Sequence, residues 1–146
     1  PVSPDPLVRQ VQPDEFDVLL PASVAMFIEE VGISPLDGGA GSSYRARLQQ
    51  LLARGYAFAR IEAGRVIFKA EVGALAGGVA QIHGVWVDPE FRGRGLAVPG
   101  MAAVIAHVRR IAPTVSLYVN DYNIAALRTY ERTGFRRVGE YATVLF

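Results

Sequence analysis

The feature that most constrains the fold is a short glycine loop that joins the end of a strand pattern to the start of a helical pattern. Val79–Val87 has strand character, Asp88-Pro89 ends it, and Arg92-Gly93-Arg94-Gly95-Leu96-Ala97 leads into an apolar helix. Backbone N–H groups at a helix N-terminus lack intrahelical partners, and glycines let an anion approach them closely. Arg92 and Arg94 can add charge-assisted bonds. The loop is expected to hold a phosphate, although two bare glycines fit a plain tight turn about equally well.

The sequences of two other phosphate-binding motifs match this loop poorly. A P-loop needs Gly-Lys followed by Ser or Thr, which the chain lacks. The dinucleotide fingerprint needs a third glycine three residues after the second, and that position is Val98. A nucleotide-binding domain is therefore the least favoured of the functions considered.

The periodicity along the chain predicts an α/β domain of the α+β type, with a mixed, mostly antiparallel sheet. We expect strands at 7–12, 56–61, 66–75, 79–87 and 115–119, and a final pair of strands at 135–138 and 143–146. Helices are expected at 14–31, 44–53 and 124–133, and a further helix should run from the glycine loop as far as Pro113. Short turns between three successive strands imply antiparallel pairing, and a later strand–helix–strand run implies one parallel crossover. Pro21 is expected to kink or split the first helix.

Length and composition narrow the class of protein. The 146 residues suit one domain, placed at 7–146 after a linker-like segment at 1–6, and the chain is expected to belong to a longer protein. A net charge of +1 gives no case for nucleic acid or a membrane surface. The absence of cysteine excludes disulfides, a thiolate nucleophile and the usual structural zinc sites. With no apolar run of ~20 residues and no signal peptide pattern, we expect a cytoplasmic protein and no metal.

A second motif follows the last strand of the crossover, and together the two motifs resemble the GNAT superfamily of N-acetyltransferases. Arg92, Gly95 and Ala97 match the family core Arg/Gln-x-x-Gly-x-Gly/Ala. The second motif matches a pattern common in the same family, Asn-x-x-Ala-x-x-x-Tyr-x-x-x-Gly-Phe, at Asn123, Ala126, Tyr130, Gly134 and Phe135. The element order extends the resemblance to nearly the whole chain. Residues 141–146 further resemble bacterial proteins in which a GNAT domain follows an N-terminal domain.

The resemblance implies a sheet of six to seven strands with about four helices, and acetyl-CoA as co-substrate. The acetyl group would pass by direct attack to the amine of a small molecule or peptide, and no metal is implied. The cofactor-binding residues implied are Arg92, Gly93, Arg94, Gly95, Leu96 and Ala97 at the pyrophosphate, Val85, Trp86 and Val87 beside the pantetheine amides, and Asn123 on the pantetheine arm. The strand backbone would pair with the pantetheine as one strand pairs with another.

The resemblance also implies the catalytic groups. Tyr130 matches the position of the general acid that protonates the departing thiolate, and without the resemblance it would be read as a core aromatic. Gln81 stands where many relatives place a glutamate that acts as the general base. His83, on the same side of the strand, is therefore the candidate base, with a purely structural role for this histidine as the alternative. Glu29 and Glu30 at the end of the first helix are further candidates for the base, although solvated surface charges are the default interpretation. A catalytically weak acyl-CoA-binding or partner module is the alternative function.

Overall fold

A computed structural model describes residues 2–119 and 123–136, which form a five-stranded sheet with helices on both faces. The elements in chain order are β1 (Val8–Gln10), α1 (Phe16–Val31), α2 (Gly41–Ala53), β2 (Ala57–Glu62), β3 (Arg65–Ala76), β4 (Val79–Val87), α3 (Ala97–Val108), β5 (Thr114–Ser116) and α4 (Ile124–Arg132). The strands lie in the order β1-β2-β3-β4-β5. All neighbours are antiparallel except β5, which runs parallel to β4. The predicted mixed, mostly antiparallel sheet is confirmed.

The strand count differs from the prediction of six to seven. The described residues contain five strands, and most of the predicted final pair at 135–138 and 143–146 lies outside them. Phe135 and Arg136, which are described, are not in a strand. β5 is also shorter than predicted and ends at Ser116.

Of the two outcomes predicted at Pro21, a kink or a split, the first helix does not show the split. α1 is one continuous helix with Pro21 inside it, preceded by a 3-10 turn at Pro13–Glu15. The hydrogen bond that proline cannot donate would have ended on the carbonyl of Asp17, in the first turn, where the residue is exposed to water. The helix continues because Leu19 and Ala22 bury its inner side against the sheet.

Helices cover the two faces of the sheet with two separate apolar clusters. The side packed by α3, here called the α3 face, buries Val8, Phe58, Phe68, Ala70, Val72, Ala80, Ile82, Met101, Ala103, Val104, Val108 and Ala112. The side packed by α1 and α2, the α1/α2 face, buries Val11, Leu19, Ala22, Leu48, Leu52, Ala57, Ala59, Val66 and Trp86. Gly100 lets α3 approach the sheet, since a Cβ there would lie 2.9 Å from the ring of Phe68.

β4 is paired on both edges only at its beginning. β3 runs along most of its length, while β5 pairs only Val79, Ala80 and Gln81. Beyond Gln81 the described residues add no pairing on the β5 side, so the second half of β4 has one open edge. A strand-like ligand can occupy such an edge through main-chain hydrogen bonds.

Two bulges interrupt the β3–β4 ladder on either side of the Glu71–His83 pair. β4 carries an extra residue between His83 and Trp86, where Gly84 has φ +63°, and β3 carries one near Gly73. A Cβ on Gly84 would collide with the Glu71 carboxylate, and a Cβ on Gly73 would collide with the imidazole of His83. Each glycine therefore leaves room for a polar side chain of the neighbouring strand.

Candidate active site

The glycine loop presents open backbone at the start of α3. Gly93 and Gly95 adopt φ +77° and +72°, and a Cβ on either would meet no atom within 4 Å. α3 begins at Ala97 without a side-chain cap on Leu96. Its first N–H groups therefore have no intrahelical acceptor, and the helix dipole places partial positive charge beside them. Pro99, in the same turn, contributes no donor.

The two arginines of the loop have different contacts. Arg92 donates through Nε to the carbonyl of Val87 at 2.9 Å and forms two bonds with the Glu29 carboxylate, at 2.9 and 3.0 Å. The indole of Trp86 also donates to Glu29, at 3.2 Å. The guanidinium of Arg94 lies over the ring of Phe91, 4.9 Å from its centre. Glu29 thus links the end of α1 to the glycine loop, a contact that the sequence did not signal.

A cavity of about 240 Å³ lies over this loop and reaches α4. It is lined by Val87, Phe91, Arg92, Gly93, Gly95, Leu96, Ala97, Val98, Thr129 and Arg132. Six of the predicted cofactor-binding residues therefore share one cavity, while Arg94 is not among its lining residues. Arg132 adds a cation from α4 that the sequence analysis missed. Its position two residues after Tyr130 in the second motif was the available signal.

The main-chain N–H and C=O groups of β4 next to the cavity point alternately toward β3 and toward the open edge. Asp88 donates its N–H to the carbonyl of Ile67 at 2.9 Å, so the main-chain groups of Val87 face away from β3, toward the open edge. By the same alternation Trp86 pairs with β3, and its indole is buried on the α1/α2 face. Val85 again faces the open edge. Of the three residues expected beside the pantetheine, Val85 and Val87 offer backbone groups there.

Tyr130 and Asn123 both lie on α4. Tyr130 is half-buried against the α3-face cluster and meets Phe135 edge to face, with ring centres 6.0 Å apart. Burial raises the pKa of Tyr130 above its usual value of 10, so the phenol stays protonated at neutral pH. Asn123 caps α4 by accepting the N–H of Ala126 through Oδ1 at 3.2 Å. A capping role leaves its amide N–H groups available.

His83 lies at the point where β4 and β5 separate. Its Nε2 is 2.9 Å from Oε1 of Gln81, and its ring stands 6.4 Å from the ring of Tyr118 in an edge-to-face arrangement. The imidazole is exposed and lies over Gly73. Its partner across the ladder is Glu71, so the two side chains share the α1/α2 face.

The α1/α2 face also buries a lysine that sequence reasoning missed. Lys69 is fully buried, and its Nζ donates to the carbonyl of Gly84 at 2.8 Å. The same ammonium lies 3.4 Å from Oε2 of Glu71 and 3.5 Å from the sulfur of Met26. The signal available was a lone lysine directly after the apolar run Val66-Ile67-Phe68, with a glutamate two residues later on the same face.

A second cavity, of about 330 Å³, lies between the end of α1 and the start of α2. It is lined by Phe27, Ile33, Ser34, Pro35, Asp37, Gly38, Ala40, Ser43, Tyr44 and Arg47. Part of the loop at 32–43 lines it. Burial raises the pKa of Tyr44, and the neighbouring Glu71 carboxylate raises it further.

The described part of the chain contains neither a cluster of metal-binding side chains nor a helix that could span a membrane. No group of three or more His, Cys, Asp or Glu residues among 2–119 and 123–136 is placed to hold a metal ion. None of the helices described there is long and apolar enough to cross a membrane.

Comparison with known proteins points to one family. Residues 41–135 match the model of the acetyltransferase (GNAT) family. The mycothiol acetyltransferase of Thermobispora bispora is 42% identical over 69 residues, which are 47% of this chain and 23% of that protein. The match therefore spans less than a quarter of the relative's length.

Solved structures agree at the level of the fold. A predicted acetyltransferase with acetyl-CoA from Clostridium acetobutylicum aligns over 94% of both chains with a TM-score of 0.71 and 16% identity. AAC(6')-Iy in complex with the bisubstrate analogue CoA-S-monomethyl-acetylneamine aligns over 94% of this chain and 97% of its own, with a TM-score of 0.63 and 18% identity.

Proposed function

The chain belongs to the acetyltransferase (GNAT) family, and from that premise we propose that it transfers an acetyl group from acetyl-CoA to the amine of a small molecule. One observation carries the proposal: the cavity over the glycine loop adjoins the open edge of β4. A diphosphate at the start of α3 and an extended amide chain along β4 would then be parts of one ligand. Acetyl-CoA has both parts.

The cofactor would be held by three kinds of contact. The N–H groups of Gly95 to Ala97 and the start of α3 bind pyrophosphate, with Arg92 and Arg132 at the cavity wall supplying positive charge. Val85 and Val87 offer main-chain groups to the pantetheine amides. Asn123 reaches the same arm with the amide N–H groups that its capping bond leaves available.

The reaction requires removal of one proton from the amine and delivery of another to the departing thiolate. The amine nitrogen forms a bond to the thioester carbon, the C–S bond breaks, and the amine proton passes to His83, directly or through water. Tyr130, kept protonated by burial, gives its proton to the departing thiolate. An N–H of β4 near Val87 stabilises the developing oxyanion. The acceptor amine enters from the α1/α2 face, where His83 is exposed.

A second candidate is a catalytically weak acyl-CoA-binding or partner module, for instance one that serves an N-terminal domain of the same longer protein. It is favoured by Gln81, since an amide cannot act as a base where the resemblance places a glutamate. An acyl-CoA-binding module would use the same cofactor site and differ from the transferase only in turnover, whereas a partner module does not require that site.

The test is calorimetric titration with acetyl-CoA, with free CoA and NAD as controls. We expect binding at micromolar concentration or tighter, selective for the CoA compounds. Gly95→Asp should weaken it at least tenfold, or about 1.4 kcal/mol, because a carboxylate would repel the pyrophosphate. Gly64→Asp is the matched control, since Gly64 has φ +74° and equally open space in the β2–β3 turn. A folded protein that binds no CoA compound would contradict the transferase and the acyl-CoA-binding module and would favour the partner module.

A further inference from the structure

The α1/α2 face carries a carboxylate that the acetyl-transfer mechanism above does not use. Glu71 is directly opposite His83 across the β3–β4 ladder and retains little exposure, with 15% of its side-chain surface open to solvent. Resting on the proposed function, we propose that Glu71 binds the amino group of the acceptor and holds it between His83 and the bulge at Gly84.

The first argument is the position of the two carboxylate oxygens. Oε2 lies 3.4 Å from the ammonium of Lys69, while Oε1 lies against Gly84. Among the described residues, no hydrogen-bond donor reaches Oε1. A carboxylate has about four acceptor positions, and only one is in use, so an amine N–H can bind without displacing Lys69.

The second argument is that the backbone is shaped around this carboxylate. Gly84 has φ +63°, a conformation that L residues with a side chain rarely adopt, and a Cβ there would occupy the position of the Glu71 carboxylate. Lys69 donates to the carbonyl of Gly84 at 2.8 Å and so ties the carboxylate and the bulge together. Glu71 is thereby positioned beside the part of β4 where the open edge begins.

The third argument is the neighbourhood that an acceptor would meet. The Glu71 carboxylate helps to raise the pKa of Tyr44, the α2 residue that lines the 330 Å³ cavity, so the two groups are within electrostatic range of each other. His83 stands on the other side, at the β4–β5 opening. An acceptor whose amine contacts Glu71 therefore has space for its body beside Tyr44 and a proton acceptor beside its nitrogen. Glu71 binds the amino group in this arrangement, and the proton still passes to His83.

A pair of CoA thioethers tests the assignment without knowledge of the natural acceptor. One carries an aminoalkyl chain of three to six carbons on sulfur, and the other carries an alkyl chain of equal length with no amine. Calorimetry should show that the wild-type protein prefers the aminoalkyl compound at least tenfold. Glu71→Gln should abolish that preference and leave affinity for the alkyl compound unchanged, because the amide retains the shape and the bond from Lys69.

Glu62→Gln is the charge-matched control, since Glu62 pairs with Arg60 at the far end of β2 and should keep the full preference. If Glu71→Gln does not fold, the double variant Lys69→Met, Glu71→Gln replaces it and should likewise lose the preference. A wild-type protein with no preference, or a Glu71 variant that keeps it, overturns the inference while the cofactor site stands. Failure of both thioethers and acetyl-CoA to bind instead removes the proposed function, and this inference with it.

Discussion

The two faces of the sheet are covered by helices in a similar way but differ in what they bury. The α3 face is continuous and apolar, from Phe68 and Ala70 on β3 to Met101 and Val104 on α3. The α1/α2 face has apolar residues at its ends and the Lys69–Glu71 pair with His83 beside it. A core built only for stability has no need of a buried ammonium, which costs free energy to desolvate. This difference is expected if stability rests mainly on the α3 face and the proposed acceptor site lies on the α1/α2 face.

The largest expected effect is a loss of stability when a charge is placed on the α3 face. Met101 is fully buried in the α3-face cluster, so Met101→Lys would bury an ammonium among apolar side chains. The expected loss of several kcal/mol is comparable to the whole stability of a small domain. By contrast, Lys69→Met with Glu71→Gln should change the free energy of unfolding by only about 1 kcal/mol, because both charges leave together.

Urea unfolding followed by circular dichroism measures both variants. Equal tolerance of a lysine on the two faces would mean that the α3 face has polar partners available, and the comparison would fail. A large loss in the double variant would show that the Lys69–Glu71 pair is chiefly structural.

The next largest effect concerns the hydroxyl of Tyr130, whose ring packs against the α3-face cluster. Tyr130→Phe should lower kcat by about 10²-fold or more, since the thiolate would leave without its general acid, while acetyl-CoA affinity stays the same. CoA release with an amine that the wild-type protein acetylates measures the loss. Tyr56→Phe is the control, because Tyr56 packs against the same apolar cluster. Turnover that survives in Tyr130→Phe would return Tyr130 to a packing role.

The smallest effect concerns a charge whose role is structural, at the start of α1. Two bonds from Arg9, at 2.7 and 2.8 Å, together with the backbone N–H of Gln12 lower the pKa of Glu15 from 4.5 to about 2. Because the folded pKa is below the unfolded one, this stabilisation is present above pH ~4.5 and is lost as pH falls toward 2.

Glu15→Gln should therefore cost roughly 1 kcal/mol at pH 7, discounted for the solvent exposure of the pair, and only about a quarter of that at pH 2.5, just above the folded pKa. Urea unfolding at the two pH values gives the difference, with Asp14→Asn in the same turn as a control. A cost that is equal at both pH values would show that the ion pair is not its source. Turnover should be unaffected, which separates this carboxylate from Glu71.

Local sequence patterns predicted most elements of the fold. Val79–Val87 was predicted at its observed bounds, and the glycine loop was placed correctly between β4 and α3. These features succeed because strand alternation, helix periodicity and glycine turns act over a few residues. Of the kink or split predicted at Pro21, the split does not occur, because packing of Leu19 and Ala22 outweighs one lost hydrogen bond in an exposed first turn.

The sequence by itself therefore determined the order of elements, the place of the glycine loop and the family motifs, because each depends on near neighbours. Only the tertiary structure decided that Glu29 meets Arg92 across 63 positions, that Arg132 joins the glycine-loop cavity, and that Glu71 lies over Gly84 beside His83. These contacts join segments far apart in sequence. They depend on strand register and on two bulges, and one residue of register moves a side chain to the opposite face.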